Sequence, residues 1–404
     1  MISLRMRKRH RLAGVVFFAF LAGIPAASAD VVWYRDVQPI VQARCQACHT
    51  SGGVAPFPLL SYDDALAHSS QMAAAVESRV MPPWKPAPGC RSYEGDRSLS
   101  QAEIDTIVAW ARSGALPGDP ADARSAPVPR GELAWVDLTL DAGADYVPSA
   151  SHTTSHSQDD YRCFALDPRL AEDRDLIGLD IEPSVARQVH HVLLFSALPA
   201  DVAAADAAEP GVGWTCFGGP GTRNATTVGG WAPGGQALQV PPGTGVTLER
   251  GQALVMQVHY NLTSGQPLPD RTRARLQFAK ERVAKPARLL PLADLFFQIP
   301  PEARDYGTSV SVVIPFASTL YGVAPHMHVL GKRIRAESDG TCLVDIPAWD
   351  FRWQQIYFFG EPLALPAGAQ LKLSCSWDNT TPRSVIWGEG TSDEMCLAYF
   401  YLVF

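Results

Sequence analysis

Residues 45–49 read Cys-Gln-Ala-Cys-His, and no other stretch restricts so tightly what this chain can fold into. Two thiols three positions apart, with an imidazole directly after them, suit covalent attachment of a haem. The thiols add to the vinyl groups and the histidine ligates the iron from below. A thiol–disulfide redox motif or half of a zinc site would use the same cysteines. Neither fits well, because no second cysteine pair follows and the histidine is immediately adjacent. The surroundings must then be a small helical unit. Residues 36–44 predict a short helix entering the motif, with Pro39 tolerated in its first turn. Ser100-Gln-Ala-Glu103 is a capping box, and Ile104, Ile107, Val108 and Ala111 follow at helical spacing up to a stop at Gly114.

Between these helices lies Met81-Pro-Pro-Trp84. A thioether opposite His49 would raise the reduction potential relative to bis-histidine ligation, so Met81 is the expected second axial ligand. His68 is the one histidine placed to compete for that position. The segment 30–120 resembles a class of small bacterial cytochrome c modules that carry this Met-Pro-Pro-Trp loop.

Residues 1–29 have the form of a secretory signal. Five bases (Arg5, Arg7, Lys8, Arg9, Arg11) precede an apolar run from Leu12 to Ile24, and Ala27-Ser28-Ala29 stands before Asp30. That run is shorter than the roughly 20 residues that span a bilayer, so cleavage is expected rather than retention as an anchor. The reading is a periplasmic (or secreted) protein without stable membrane insertion after cleavage. Disulfides are permitted there. The chain has eight cysteines, and the haem takes two, leaving six for bridges. Removing residues 1–29 turns a formal charge of −7 into 29 bases against 41 acids. A surface that acidic repels phosphate backbones, which excludes nucleic acid as a partner. Hydrophobic residues make up 47% of the chain beside 32 Gly and 33 Pro, a turn-rich composition that suits β-sandwiches better than helical bundles. The Pro- and Ala-rich residues 121–132 read as a stiff linker.

Five of the remaining histidines fall in three strand-like contexts: Val189-His-His-Val-Leu-Leu-Phe195, Leu254-Val-Met-Gln-Val-His-Tyr260 and Gly322-Val-Ala-Pro-His-Met-His-Val329. Alternate residues of a strand share a face, so His326 and His328 can hold one metal ion. His190 and His191 should point apart on a flat strand and need a twist or bulge to converge. His259 can supply a third imidazole from a neighbouring strand. Near the C-terminus Ser392-Asp-Glu-Met395-Cys396 offers a thioether, a soft ligand that favours Cu(I), while imidazole accepts either copper state. A single histidine in a strand is more often a core or surface residue; the order and context of these groups together are far more specific.

Taken together, residues 133–404 resemble the copper type II monooxygenases, such as peptidylglycine alpha-hydroxylating monooxygenase and dopamine beta-monooxygenase. The resemblance rests on His190-His191 before Leu193-Leu194-Phe195, His259 with Gln257 in its strand, His326 and His328 before Leu330-Gly331-Lys332, and the loop at 392–396. It implies a multidomain chain, a small all-α cytochrome c domain followed by two tandem all-β jelly-roll-like sandwiches (133–283 and 284–404), each holding one copper ion. His190, His191 and His259 would form the electron-storing site. His326, His328 and Met395 would form the catalytic site where dioxygen is activated and a substrate C–H bond is broken. A Cys375–Cys396 bridge beside Met395 is also implied. Cys163 and Cys216 each lack the partner the family would supply, which leaves pairing with each other as one alternative; Cys90 and Cys342 stay unassigned.

The departures also inform. Ala324 stands where the peptide-amidating enzymes keep an arginine for the substrate carboxylate, and Leu397 replaces a peptide-contacting asparagine, although Tyr399 is kept. Loss of a bidentate guanidinium removes the main polar anchor, so a glycine-extended peptide is a poor expectation and the pocket reads as more apolar. The expected partners are a small-molecule or short-peptide substrate, dioxygen, and a cytochrome or other periplasmic electron donor. Animal relatives resemble enzymes fed by ascorbate; the attached haem c suggests electrons arrive through the chain itself. The competing reading is a periplasmic haem/copper electron-transfer or copper-binding protein without oxygenase activity. Against it, an electron-transfer copper would more naturally include a cysteine thiolate, and no histidine group here has one. His152 and His156 read as solvated loop residues. The triplets headed by Asn224, Asn261 and Asn379 read as chance matches to a glycosylation signal, and 350–354 reads as the edge of the second sandwich, with Trp353 a lesser candidate for the pocket wall.

Overall fold

The computed structural model describes residues 30–51, 55–124, 132–150, 159–217, 219–232 and 237–404. The expected signal at 1–29, most of the linker, and His152 and His156 lie outside these residues.

The N-terminal unit is helical. Trp33 and Trp110 are fully buried and their rings meet at 5.5 Å, seeding a core with Val37, Val41, Ile104 and Ile107. The helix Gln101–Arg112 begins at the capping box, with Ser100 and Glu103 bonding each other's backbone N–H. It ends where Gly114 takes a φ of +97°, a conformation glycine adopts without a Cβ penalty. The entry to residues 45–49 is more divided than the single helix expected. A π turn, Trp33–Val37, precedes the α-helix Gln38–Arg44. Pro39 has no N–H to return to the preceding turn, which therefore widens. Helices Tyr62–Ala67 and Ser69–Glu77 complete the unit. Among the described residues no helix is long and apolar enough to cross a membrane.

Everything beyond residue 137 is built mainly from β-sheet. A nine-stranded sheet runs through both halves. Its seam is the strand Lys285–Asp294, which pairs in parallel with Thr244–Leu248 on one side and antiparallel with Cys396–Val403 on the other. A five-stranded sheet, centred on Ala253–Asn261 between Asp159–Leu166 and Val189–Ala197, belongs to the first half. A four-stranded sheet centred on Gln370–Trp377 belongs to the second. Leu371, Leu373, Cys375 and Trp377 point inward from that strand in strict alternation, as a strand with one face on a core requires. The two sandwiches therefore share one backing sheet, so their facing edges are held in fixed register.

Residues 84–97 leave the helical unit and lie along the second sandwich. Tyr93 bridges to Phe359, Glu94 N–H donates to the Phe358 carbonyl (2.8 Å), and Gly360 N–H donates to the Ser92 carbonyl (3.0 Å). The Tyr93 hydroxyl donates to the Leu343 carbonyl and its ring joins the second sandwich's core. The disulfide Cys90–Cys342 closes this arm over 252 residues of sequence. The other two bridges are Cys163–Cys216 and Cys375–Cys396, which leaves Cys45 and Cys48 as free thiols.

Candidate metal centres and cavity

A bulge sits where the paired histidines fall. Val189 pairs with Tyr260 and His191 with His259, and the register shifts between them, so His190 has no cross-strand partner and can turn inward. The three rings converge on their Nδ1 atoms: His190 to His191 is 3.1 Å and His259 to His191 is 3.4 Å. Two imidazoles about 2.0–2.1 Å from one ion at a tetrahedral angle stand about 3.3 Å apart, so this donor set fits a small divalent or monovalent soft metal, copper included. Among the described residues these three form the cluster of His, Cys, Asp and Glu groups close enough to share an ion.

The second group comes from the other sandwich. The strand Ser318–His326 ends at His326, and His328 lies beyond it; the two rings nevertheless stand 5.1 Å apart. Two residues short of forming one continuous strand face, they are aimed by their partners instead. Gln354 Oε1 bonds His326 Nδ1, and the Asp393 carbonyl accepts from His328 Nδ1 at 3.0 Å, which leaves both Nε2 atoms for a metal. Met395, 6% exposed, lines the same cavity as both histidines. The two groups face one another across the seam, with His191 and His326 ring centroids 6.1 Å apart.

Burial keeps these imidazoles neutral. It lowers the His190 pKa to about 3, helped by His259 and His326. It takes His326 to about 4 despite the bond to Gln354, and holds His191 and His328 well below the usual histidine range. At neutral pH the lone pairs are therefore free for metal.

Two carboxylates support the site, and sequence reading assigned a role to neither. Asp159, 2% exposed, bonds His259 Nε2 at 3.1 Å and accepts from Thr391 N–H and Oγ1–H at 2.9 Å. Burial alone would raise its pKa, but the bonds from His259 and Thr391 overcome that and hold the group well below the carboxylate range. It thus fixes the His259 ring and ties it to the loop that carries Met395. Glu394 is fully buried and takes N–H bonds from His328, Leu330, Met395 and the Trp377 indole. The Ser392–Cys396 motif pointed to this region, whereas nothing local marked Asp159. Supporting carboxylates of this kind typically tune metal affinity, so Asp159→Asn is expected to weaken copper at the three-histidine group about 10–100-fold. Competition with a chelator measures this; unchanged affinity would show that Asp159 serves only the Thr391 contact.

A cavity of about 380 Å³ opens beside both groups. Its wall includes Leu193, Phe195, Val228, Trp231, Leu289 and Leu397, and among the described residues no Lys or Arg lines it. Ala324 and Tyr399 are on it, as are Gln354 to Ile356, while Trp353 is not.

At the N-terminal motif, His49 Nδ1 bonds the Phe57 carbonyl at 3.0 Å, leaving Nε2 for an axial position. With two free thiols beside it, the residues fit a covalently attached haem. Burial lowers the His49 pKa, and His68 pushes in the same direction. His68 also stacks on Phe57 at 3.8 Å. Met81 is partly buried just after the helix Ser69–Glu77, its N–H on the Ala75 carbonyl.

The architecture and the site define a β-sandwich protein with a helical N-terminal unit and two facing groups of metal-ligating side chains. Residues 303–403 match the family model of the copper type II ascorbate-dependent monooxygenase C-terminal domain. That match supports an oxidoreductase that uses copper; it covers one domain. No curated protein matches the chain. Solved structures with some likeness include the major capsid protein P2 of bacteriophage PM2, at 9% identity and a TM-score of 0.29 over 66% of this chain and 97% of that one. Another is a peptide-N(4)-(N-acetyl-beta-D-glucosaminyl) asparagine amidase, at 8% identity and a TM-score of 0.32 over 66% and 95%. PNGase F from Flavobacterium meningosepticum gives 8% and 0.30 over the same shares.

Proposed function

We propose that this chain is an exported, copper-dependent monooxygenase that hydroxylates a C–H bond of a largely apolar substrate, with electrons supplied through its own haem c. The observation that carries this reading is that His326, His328 and Met395 all line one mainly apolar cavity, within the segment that matches the monooxygenase family model. His190, His191 and His259 would hold the second copper, and Cys45, Cys48 and His49 the haem, with Met81 as its second axial ligand. Copper supplies one-electron storage at the three-histidine group and dioxygen activation at the other.

The protein's own residues do the rest. Gln354 and the Asp393 carbonyl hold His326 and His328 by their Nδ1 atoms, which leaves the Nε2 atoms of both rings for a metal. The apolar wall takes up the substrate and excludes water. Tyr399, its pKa raised by burial, stays protonated and can donate a hydrogen bond to an oxygen of the bound molecule. Among the described residues no Lys or Arg lines the wall, which disfavours a substrate carboxylate. Three disulfides and the signal-like residues 1–29 support a periplasmic or secreted location.

The test is to supply copper-loaded, haem-reduced protein with isotopically labelled dioxygen and a panel of neutral aromatic and aliphatic compounds. One labelled oxygen atom is expected in a product, formed only with copper present. Haem that reoxidises at the same rate without copper, and without product, would favour the electron-transfer reading instead.

A further inference from the structure

The loop between Trp349 and Gln355 touches the arm of the helical unit and both histidine groups. At its start Asp350 pairs with Lys85 of the arm at 3.2 Å, both side chains about four-fifths shielded. At its end Gln355 Oε1 accepts from Arg97 Nη2, also of the arm, at 2.8 Å. Between these anchors the Phe351 ring stacks on His190, 4.4 Å between centroids and 22° between planes. The same ring meets His328 edge-on at 5.5 Å. Gln354 then bonds His326 and donates back to the Phe351 carbonyl at 2.7 Å. Phe351 is absent from the cavity wall although Gln354, Gln355 and Ile356 form part of it. Its ring is therefore packed against ligands rather than presented to substrate.

We propose that this loop is the electron bridge of the protein, with Phe351 coupling the arm side to His190. The inference rests on the haem and copper reading given above. Electronic coupling falls off steeply with distance, and more steeply across a gap than through atoms in contact. Lys85 follows the Met81–Trp84 loop directly in sequence, so a contact path leads from the end of the helical unit through Lys85, Asp350 and Phe351 to His190. Along it one electron would pass from a reduced haem iron held at Cys45, Cys48 and His49, which would be oxidised, to an oxidised copper held by His190, which would be reduced. No bond is made or broken. The arm's disulfide and sheet-edge hydrogen bonds fix this path, so the helical unit delivers electrons from a docked position rather than as a swinging carrier.

The test compares the whole protein with Phe351→Leu, Phe351→Tyr and Lys85→Met, each loaded with copper and haem and kept free of dioxygen and substrate. A flash-generated flavin radical reduces the haem, and haem absorbance follows equilibration with copper while the cupric EPR spectrum reports ligand geometry. Phe351→Leu is expected to slow equilibration by at least an order of magnitude with an unchanged EPR spectrum. Phe351→Tyr is expected to restore most of the rate, and Lys85→Met to slow it. A wild-type rate in Phe351→Leu, with both metals loaded, would overturn the bridge and leave the enzyme reading intact. Absence of copper-dependent equilibration in the unaltered protein would instead overturn the haem-supply reading, and the bridge with it.

Discussion

Glu394→Ala is expected to lower the unfolding free energy of the copper-free protein by about 4 kcal/mol, since each buried donor left without a partner costs about 1–3 kcal/mol. Its carboxylate gathers the backbone N–H groups of His328 (3.0 Å), Leu330 (2.6 Å) and Met395 (3.3 Å) and the Trp377 indole (2.8 Å). Those donors come from three segments and surround a fully buried position. Burial raises the carboxyl pKa from 4.5 to about 7, against the pull of these four bonds. The folded state therefore holds this proton more tightly than the unfolded chain does, and the group's contribution declines as pH rises through that interval. Glu394→Gln keeps one acceptor and has no such titration, so its deficit against the unaltered protein should narrow between pH 4.5 and 7. Urea denaturation at several pH values measures both effects. A loss for Glu394→Ala of only about 0.5 kcal/mol, the range of surface changes, would contradict the assignment.

His328→Ala is expected to reduce substrate oxidation to the uncatalysed background and to remove one of two coppers. His328 is 2% exposed, and both its ring and its backbone are held, by the Asp393 carbonyl and Glu394 respectively. Among the described residues its ring neighbours are His326, already assigned to the same group, and Phe351, which has no ligand atom. The three-histidine group lies on the other sandwich and keeps its own supports, the Asp159 carboxylate on His259 Nε2 and the Tyr161 ring stacked on His259. The helical N-terminal unit has a separate core. Retained oxidation with one copper would move the chemistry away from this group.

Much of this arrangement could be read from sequence because its signals are local. The capping box at Ser100 depends only on neighbours along the chain. So does the need for a bulge at His190-His191, which the register between Val189 and His191 supplies. What was not legible depends on pairings distant in sequence. Cys90 and Cys342 carry no local mark of being partners, and the arm they fasten resembles an ordinary loop. Asp159 follows a polar run and looks like its continuation, yet it begins a buried strand opposite Asn261. Phe351 sits in a short irregular segment whose meaning comes only from what the fold brings to either side of it. The shared backing sheet likewise arises from one parallel pairing, Thr244–Leu248 with Lys285–Asp294, which neither segment announces.

The most direct test of the account is a metal count on the whole protein after copper reconstitution: copper by elemental analysis, haem by absorbance, with Met395→Ala measured alongside. Two coppers and one haem per chain are predicted, with one copper weakened in the variant and the other unaffected. One copper or none in the unaltered protein would contradict the two-site account and bring the electron-transfer reading forward.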